Sequence, residues 1–189
     1  MKNYFIWVIF FLMAAISARA NFIEPEVRDV FTPVDTFPVP PHREQLMFYI
    51  QRTPNINTIA YELNFADDGQ LDVDHPIHIF WIRYKEDSSR AELSFIQRNY
   101  AYGLKVRQLG KDYYDLRFVS YKKYPLLLKK SEDDKKYHVY ATINHKRIIL
   151  NRIFLHIDGG TFWLPNITRI ELSGIDAESG KQIIDYLNP

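Results

Sequence analysis

The chain has no cysteine. That excludes disulfides, zinc–thiolate sites, iron–sulfur clusters and cysteine nucleophiles. Glycine is scarce, with seven residues in 189, and neither the G-x-G-x-x-G nor the G-x-x-x-x-G-K phosphate loop occurs. H-E-x-x-H, G-x-S-x-G and the EF-hand loop are missing as well, which disfavours enzymes with a compact local signature. An enzyme assembled from scattered residues is not removed by this. No charge of one sign dominates: 24 basic residues face 23 acidic ones, for a formal net charge of +1. There is thus no global basic field of the kind nucleic acid demands. Repeated βαβ units are lacking too, which argues against Rossmann and TIM designs.

Apolar residues make up 47% of the chain and aromatics 15%, enough for one packed domain with or without an arm. The N-terminus reads as an export signal spanning residues 1–20. Lys2 supplies a positive start, Phe5 to Ile16 is unbroken apolar sequence, and Ala18-Arg19-Ala20 fits a cleavage site. A spanning helix needs roughly 20 apolar residues, and this run is shorter. The alternative is an uncleaved N-terminal anchor. Cleavage would remove Lys2 and Arg19 and no acid, taking the charge from +1 to −1, which argues against binding a membrane surface by net charge.

Residues 21–45 read as a proline-rich arm. Pro25, Pro33, Pro38, Pro40 and Pro41 fall within it and favour extended geometry. Two readings stay open: the arm lies across the domain and buries Val34, Phe37 and Val39, or it is a flexible tether. Residues 46–189 alternate like strands. The expected strands are Leu46–Arg52, Ile56–Leu63, Pro76–Tyr84, Leu104–Gln108, Tyr113–Tyr121, Leu126–Lys129, Tyr137–Ile143, Ile148–Ile157 and Thr168–Leu172, with Gln182–Leu187 a last strand or short helix. One helix is expected from Ser88 or Ser89 to Gly103, with Glu92 completing a capping box; the alternative is another strand, since Phe95 and Ile96 favour β. Asp158-Gly159-Gly160 is expected to break the chain. The fold class is then all-β, or β-rich α+β: an antiparallel sandwich or barrel with one packed helix.

Three histidines fall inside strands, each sharing a face with aromatic or charged residues. His78 goes with Phe80, His138 with Tyr140, and His156 with Arg152 and Phe154. If those faces converge, they line a pocket for an apolar ligand with an anionic head; otherwise each histidine is satisfied locally. Trp163, after two glycines, either stacks on a ligand or plugs one end of the fold. These seven residues, Phe154 aside, are the candidate ligand-binding set. No catalytic residue, metal ligand or cofactor is assigned, although Asp72, Asp74, His75 and His78 are dense enough to weigh for a metal. Lys122-Lys123 and Lys129-Lys130 bracket Tyr124 and Leu126 to Leu128; basic residues among aromatics can bind single strands, but export and the balanced charge favour reading them as guards of a solvated strand edge.

Several stretches, among them Tyr49-Ile50-Gln51-Arg52-Thr53-Pro54, Pro76-Ile77-His78-Ile79-Phe80-Trp81, Phe95-Ile96-Gln97-Arg98-Asn99-Tyr100 and Gly159-Gly160-Thr161-Phe162-Trp163-Leu164-Pro165, resemble an exported bacterial family catalogued as domain of unknown function 4833. The resemblance covers roughly Leu46 to the C-terminus. It implies one envelope domain of a Gram-negative bacterium, placed in the periplasm, and brings no activity or catalytic residue with it. The leading expectation is a non-catalytic binder of an amphiphilic or lipid-like small molecule. The rivals are a structural or protein-interaction module of the envelope and an enzyme with a dispersed histidine site. No nucleic-acid partner is expected, and no integral membrane segment after cleavage. N-terminal sequencing of the exported chain is expected to begin at Asn21; an intact Met1 would turn the leader into an anchor.

Overall fold

Alternating apolar residues commit most of the chain to strands, and a computed structural model describes residues 37–143, 145–161 and 164–188. The leader, Val34 and Trp163 lie outside them. Eleven strands follow in order: β1 (Leu46–Arg52), β2 (Thr58–Leu63), β3 (Ile77–Ile82), β4 (Arg90–Glu92), β5 (Leu104–Gly110), β6 (Tyr113–Phe118), β7 (Leu126–Lys130), β8 (Tyr137–Ile143), β9 (Lys146–Gly160), β10 (Pro165–Asp176) and β11 (Gln182–Leu187). They form one sheet curled into a half-barrel, with the path β4-β3-β2-β1-β9-β8-β7-β6-β5 and with β10 and β11 branching from β9.

The long strand β9 organises this arrangement. Its first residues pair antiparallel with β8 (Ile148 with Ala141, Ile149 with Tyr140). Further along, Arg152 to Leu155 pair with Tyr49 to Arg52 of β1. That ladder is parallel, the one departure among the strand pairs from the antiparallel expectation. It arises because the chain runs outward through β1–β4, crosses to β5 and returns through β5–β8 before β9 reaches β1. On its other side β9 pairs with β10 over nearly its whole length. Two four-strand branches, β1–β4 and β8–β5, therefore fork from one strand.

The fork carries a shift of phase. Ile148 and Leu150 are buried, and so are Ile153 and, on β10, Leu172. The β9–β10 register slips between Ser173, opposite Arg152, and Gly174, opposite Leu150. Asn151 is the extra residue, a β-bulge that moves the core face from even to odd positions. Gly174 faces this bulge, and a Cβ there would stand 2.2 Å from the Ile149 carbonyl oxygen.

The inner faces of the two branches pack on each other. Phe48 stacks on Tyr61 at 4.3 Å, and Phe118 of the other branch meets both edge-on at 6.3 and 6.0 Å. Leu116, Leu126, Leu128, Val139, Ile59 and Ile50 complete the interior. The fully buried Tyr61 donates its hydroxyl to the Tyr102 carbonyl at 2.8 Å, tying β2 to the connection between branches.

That connection differs from the expected helix. Arg90–Glu92 is a strand paired with Phe80–Ile82, and the helical part is a short π-turn, Gln97–Ala101. Arg90 is held by two bonds to Glu62 at 3.1 and 2.8 Å and lies 4.2 Å over the Phe80 ring. Those contacts override the local helix signal of Ser89 and Glu92. A capping box does occur, five residues later: the Gln97 side chain accepts from the Ser94 amide at 3.0 Å and Ser94 Oγ from the Gln97 amide at 3.3 Å. Gly103 ends the turn where a Cβ would collide with the Arg98 carbonyl at 1.8 Å. The strand β9 runs three residues past its expected end at Ile157 and closes on the Gly159–Gly160 pair; both glycines have positive φ, 75° and 84°, and Gly160 still pairs with Pro165.

The described end of the arm docks. Phe37 meets Phe154 edge-on at 4.8 Å, the Pro38 carbonyl accepts from Gln51 at 2.7 Å, and Pro40 is buried. Val39, expected to be buried, is 72% exposed, because the strap turns that side chain away from the sheet.

Two substitutions test this frame. Tyr61→Phe leaves the Tyr102 carbonyl short of its buried donor and is expected to cost about 1–2 kcal/mol in urea unfolding. Gly174→Ala must displace backbone at the bulge and is expected to cost about 1–3 kcal/mol; a neutral result there would remove the bulge from its central place.

Candidate functional site

Each of the three strand histidines has a carboxylate of its own. His78 Nε2 stands 2.7 Å from Glu92, with its ring 5.3 Å from the buried Phe80. His138 Nε2 stands 2.7 Å from Asp134 and meets Tyr140 edge-on at 6.1 Å. His156 lies 3.9 Å from Glu171 and edge-on to Phe154 at 4.8 Å.

The faces carrying them do not merge into one lining. Phe80 and Arg152 occupy the same cross-sheet row, but Ala60 and Tyr49 stand between them. Three strand spacings separate the two by roughly 14 Å. His138 and Tyr140 belong to β8, in the other branch. Each histidine lies beside the aromatic ring two residues away, but alternation does not encode the fork that sends two of the faces outward in different directions. Trp163 lies outside the described residues.

The β9 group is well built. Arg152 Nε donates to Gln51 Oε1 at 2.8 Å, its guanidinium lies 4.7 Å over Phe154, and Nη1 is 3.7 Å from the buried Glu171. Gln51 in turn donates to Thr58 Oγ1 at 3.1 Å. Burial, and next the Arg169 charge, hold the His156 imidazole below its ordinary pKa, against the pull of Glu171. A neutral His156 can accept from Arg169, whose Nη2 is 3.4 Å away. With Phe37 and Pro38 laid over it, this group fastens the arm and leaves little open surface for a ligand.

The open site is on the outer face of the β5–β8 branch. Lys105 stands opposite Arg117, and Arg107 opposite Asp115. Leu127 is opposite Asp115 and Lys129 opposite Tyr113; Tyr140 is opposite Leu127. Arg147 joins them from β9, opposite Thr142. Residues directly opposite share a face, so this one carries Lys105, Arg107, Arg117, Lys129 and Arg147. Its buried carboxylate, Asp115, is shared by Arg107 at 3.2 Å and Arg117 at 3.0 Å. One acid beneath two guanidiniums leaves cations in excess among these paired positions.

A cleft of about 340 Å³ opens there, lined by Gly110, Lys111, Tyr113, Leu127, Lys129, Tyr140 and Arg147. Three cations, two phenol rings and a leucine surround it without a carboxylate. Arg147 lies 5.9 Å over the Tyr140 ring, and burial, with Asp134 nearby, holds the Tyr140 phenol above its ordinary pKa. Of the residues singled out from sequence, Tyr140 lines this cleft. Lys129 was read as an edge guard, and Lys111 and Arg147 carry no local motif that singles them out. Counting charges by strand face rather than along the chain would have found them. A second, smaller cleft of about 130 Å³ lies beside the arm, between Pro40, Pro41, Arg43, Glu62, Tyr84 and Arg90.

Among the described residues, no helix is long and apolar enough to cross a membrane. No curated protein and no solved structure matches the chain. The model of one family, described as a domain of unknown function (DUF4833), matches residues 48–185. That span opens inside β1 and closes inside β11, and so takes in both branches and the strand from which they fork. The chain belongs to the DUF4833 family.

Proposed function

We propose that this chain is a non-catalytic binding protein of the bacterial envelope, working in the periplasm on a small amphiphile with an anionic head. The observation that carries the reading is the acid-free ring of Lys111, Lys129 and Arg147 around one cleft floored by Tyr113, Leu127 and Tyr140. The head group would lie among the cations, where charge-assisted hydrogen bonds form. The apolar portion would lie along the rings and Leu127. The volume falls at the small end of the range for ligand sites. The space between the branches is filled with side chains, which favours a ligand on the outer face over the aromatic and basic interior that the sequence leads one to expect.

Isothermal titration with dodecyl phosphate, kept below its micelle threshold, tests this, with dodecyl maltoside as the neutral control. The charged probe is expected to bind and the neutral one to bind far less. Lys129→Ala with Arg147→Ala removes two exposed cations without touching the core. This double variant is expected to weaken binding roughly tenfold to a hundredfold. Equal affinity in the variant would overturn the assignment of the cleft.

A further inference from the structure

The π-turn that joins the two branches carries a group of apolar side chains that the fold leaves outside. Phe95 is 76% exposed, Tyr100 70% and Ile96 43%, and no residue of Gln97–Ala101 is buried. Ile96 and Tyr100 are four apart and Phe95 and Tyr100 five apart, so one side of a single turn presents all three.

This exposure is built rather than frayed. Ser94 and Gln97 cap the turn reciprocally. The Asn99 side chain donates to the Phe95 carbonyl at 2.9 Å. Trp81 Nε1 donates to Gln97 Oε1 at 3.2 Å, and the Tyr102 amide donates to the Gln97 carbonyl at 2.8 Å. The turn is thus bolted to β3 from below while its apolar side points out. A rigid presentation of this kind loses little conformational freedom on binding.

The charges around the turn indicate what it meets. From Leu93 to Lys111 the chain holds Arg98, Lys105, Arg107 and Lys111 and no acidic residue. Glu92 pairs with Arg98 at 2.9 Å and Asp115 with Arg107 at 3.2 Å, which leaves the excess on Lys105 and Lys111. Val119 donates to the Gly103 carbonyl at 2.9 Å and Ser120 Oγ to the Ala101 carbonyl at 2.6 Å. These bonds set the turn against the end of the β5–β6 hairpin where Lys105 and Arg117 stand opposite each other. We infer that the Phe95–Ile96–Tyr100 turn docks the chain on an anionic lipid bilayer, the three side chains entering the headgroup region while Lys105 and its neighbours meet the lipid charges. Three side chains fall far short of the area a stable protein interface buries, whereas aromatic residues flanked by cations suit a membrane interface. The near-zero net charge is no obstacle, because the stretch from Leu93 to Lys111 holds four cations and no acid.

The cysteine-free sequence permits a clean test on the full chain. A single cysteine at Ile96→Cys carries an environment-sensitive fluorophore, and a second protein carries it at Leu164→Cys, a site 79% exposed in the β9–β10 connection. Vesicles of equimolar phosphatidylglycerol and phosphatidylcholine are compared with phosphatidylcholine alone. The expected result is a blue shift at position 96 with the anionic vesicles, little with the neutral ones and none at position 164. Adding Phe95→Ser and Tyr100→Ser should weaken the partition at least about tenfold, and Lys105→Glu should weaken it on anionic vesicles alone. Sedimentation with vesicles while the reporter at 96 stays water-like would show that another segment binds and would overturn the inference. So would the absence of any shift, or an equal shift at both sites.

Discussion

The pairing of β9 with three partners at once is the constraint from which the rest of this molecule follows. One edge must serve β8 and then β1, and a straight strand with uniform alternation cannot give both branches a buried face on the same side of the bend. The extra residue at Asn151 resolves this by turning the core face over midway. Gly174 is bound to that solution, since the Ile149 carbonyl occupies the space a side chain would need. With the branches aimed at each other, Phe48, Tyr61 and Phe118 can meet, and burial of those rings supplies the hydrophobic stabilisation that a chain without disulfides must find in its core.

The same fork divides the polar chemistry. Residues that a flat sheet would place side by side end up on two outer surfaces. One, over β1, β9 and β10, is closed by the arm and satisfied by an internal network running from Thr58 through Gln51 and Arg152 to Glu171. The other, over β5–β8, is left to solvent with its cations unbalanced. A nearly neutral chain therefore carries an excess of cations at the paired positions of this face, and whole-chain arithmetic hides it.

Much of the strand pattern was legible. Leu46–Arg52 and Tyr137–Ile143 have the same ends in sequence and in structure, because an apolar run in the first and apolar alternation in the second give way to turn residues, Thr53-Pro54-Asn55 and Asn144-His145. The helix was not legible: Ser89 and Glu92 offer a sound local signal, but Arg90 gains more by bridging to Glu62 and covering Phe80 than a helix would return. The glycine pair that closes β9 set its expected end three residues early, since positive φ at two consecutive residues accommodates a bend without breaking the ladder. For the site, composition of each strand face could be read, as Tyr140 beside Arg147 and Lys129 shows. Which faces come together depends on the parallel contact between β1 and β9, made by residues about a hundred positions apart, and no local pattern encodes such a contact.

The two chain ends described here are fastened in mechanically unlike ways. The strap at Phe37–Pro38 leads within a few residues into β1, which is hydrogen-bonded on both edges, to β2 and to β9. Traction along that strand loads both ladders in shear, so many bonds must yield together. At the other end, among the described residues, β11 is held on one edge by β10 alone. Traction across it would open those bonds one after another, like a zip, and the protein is therefore built to resist force from its N-terminal side and to give way from its C-terminal side.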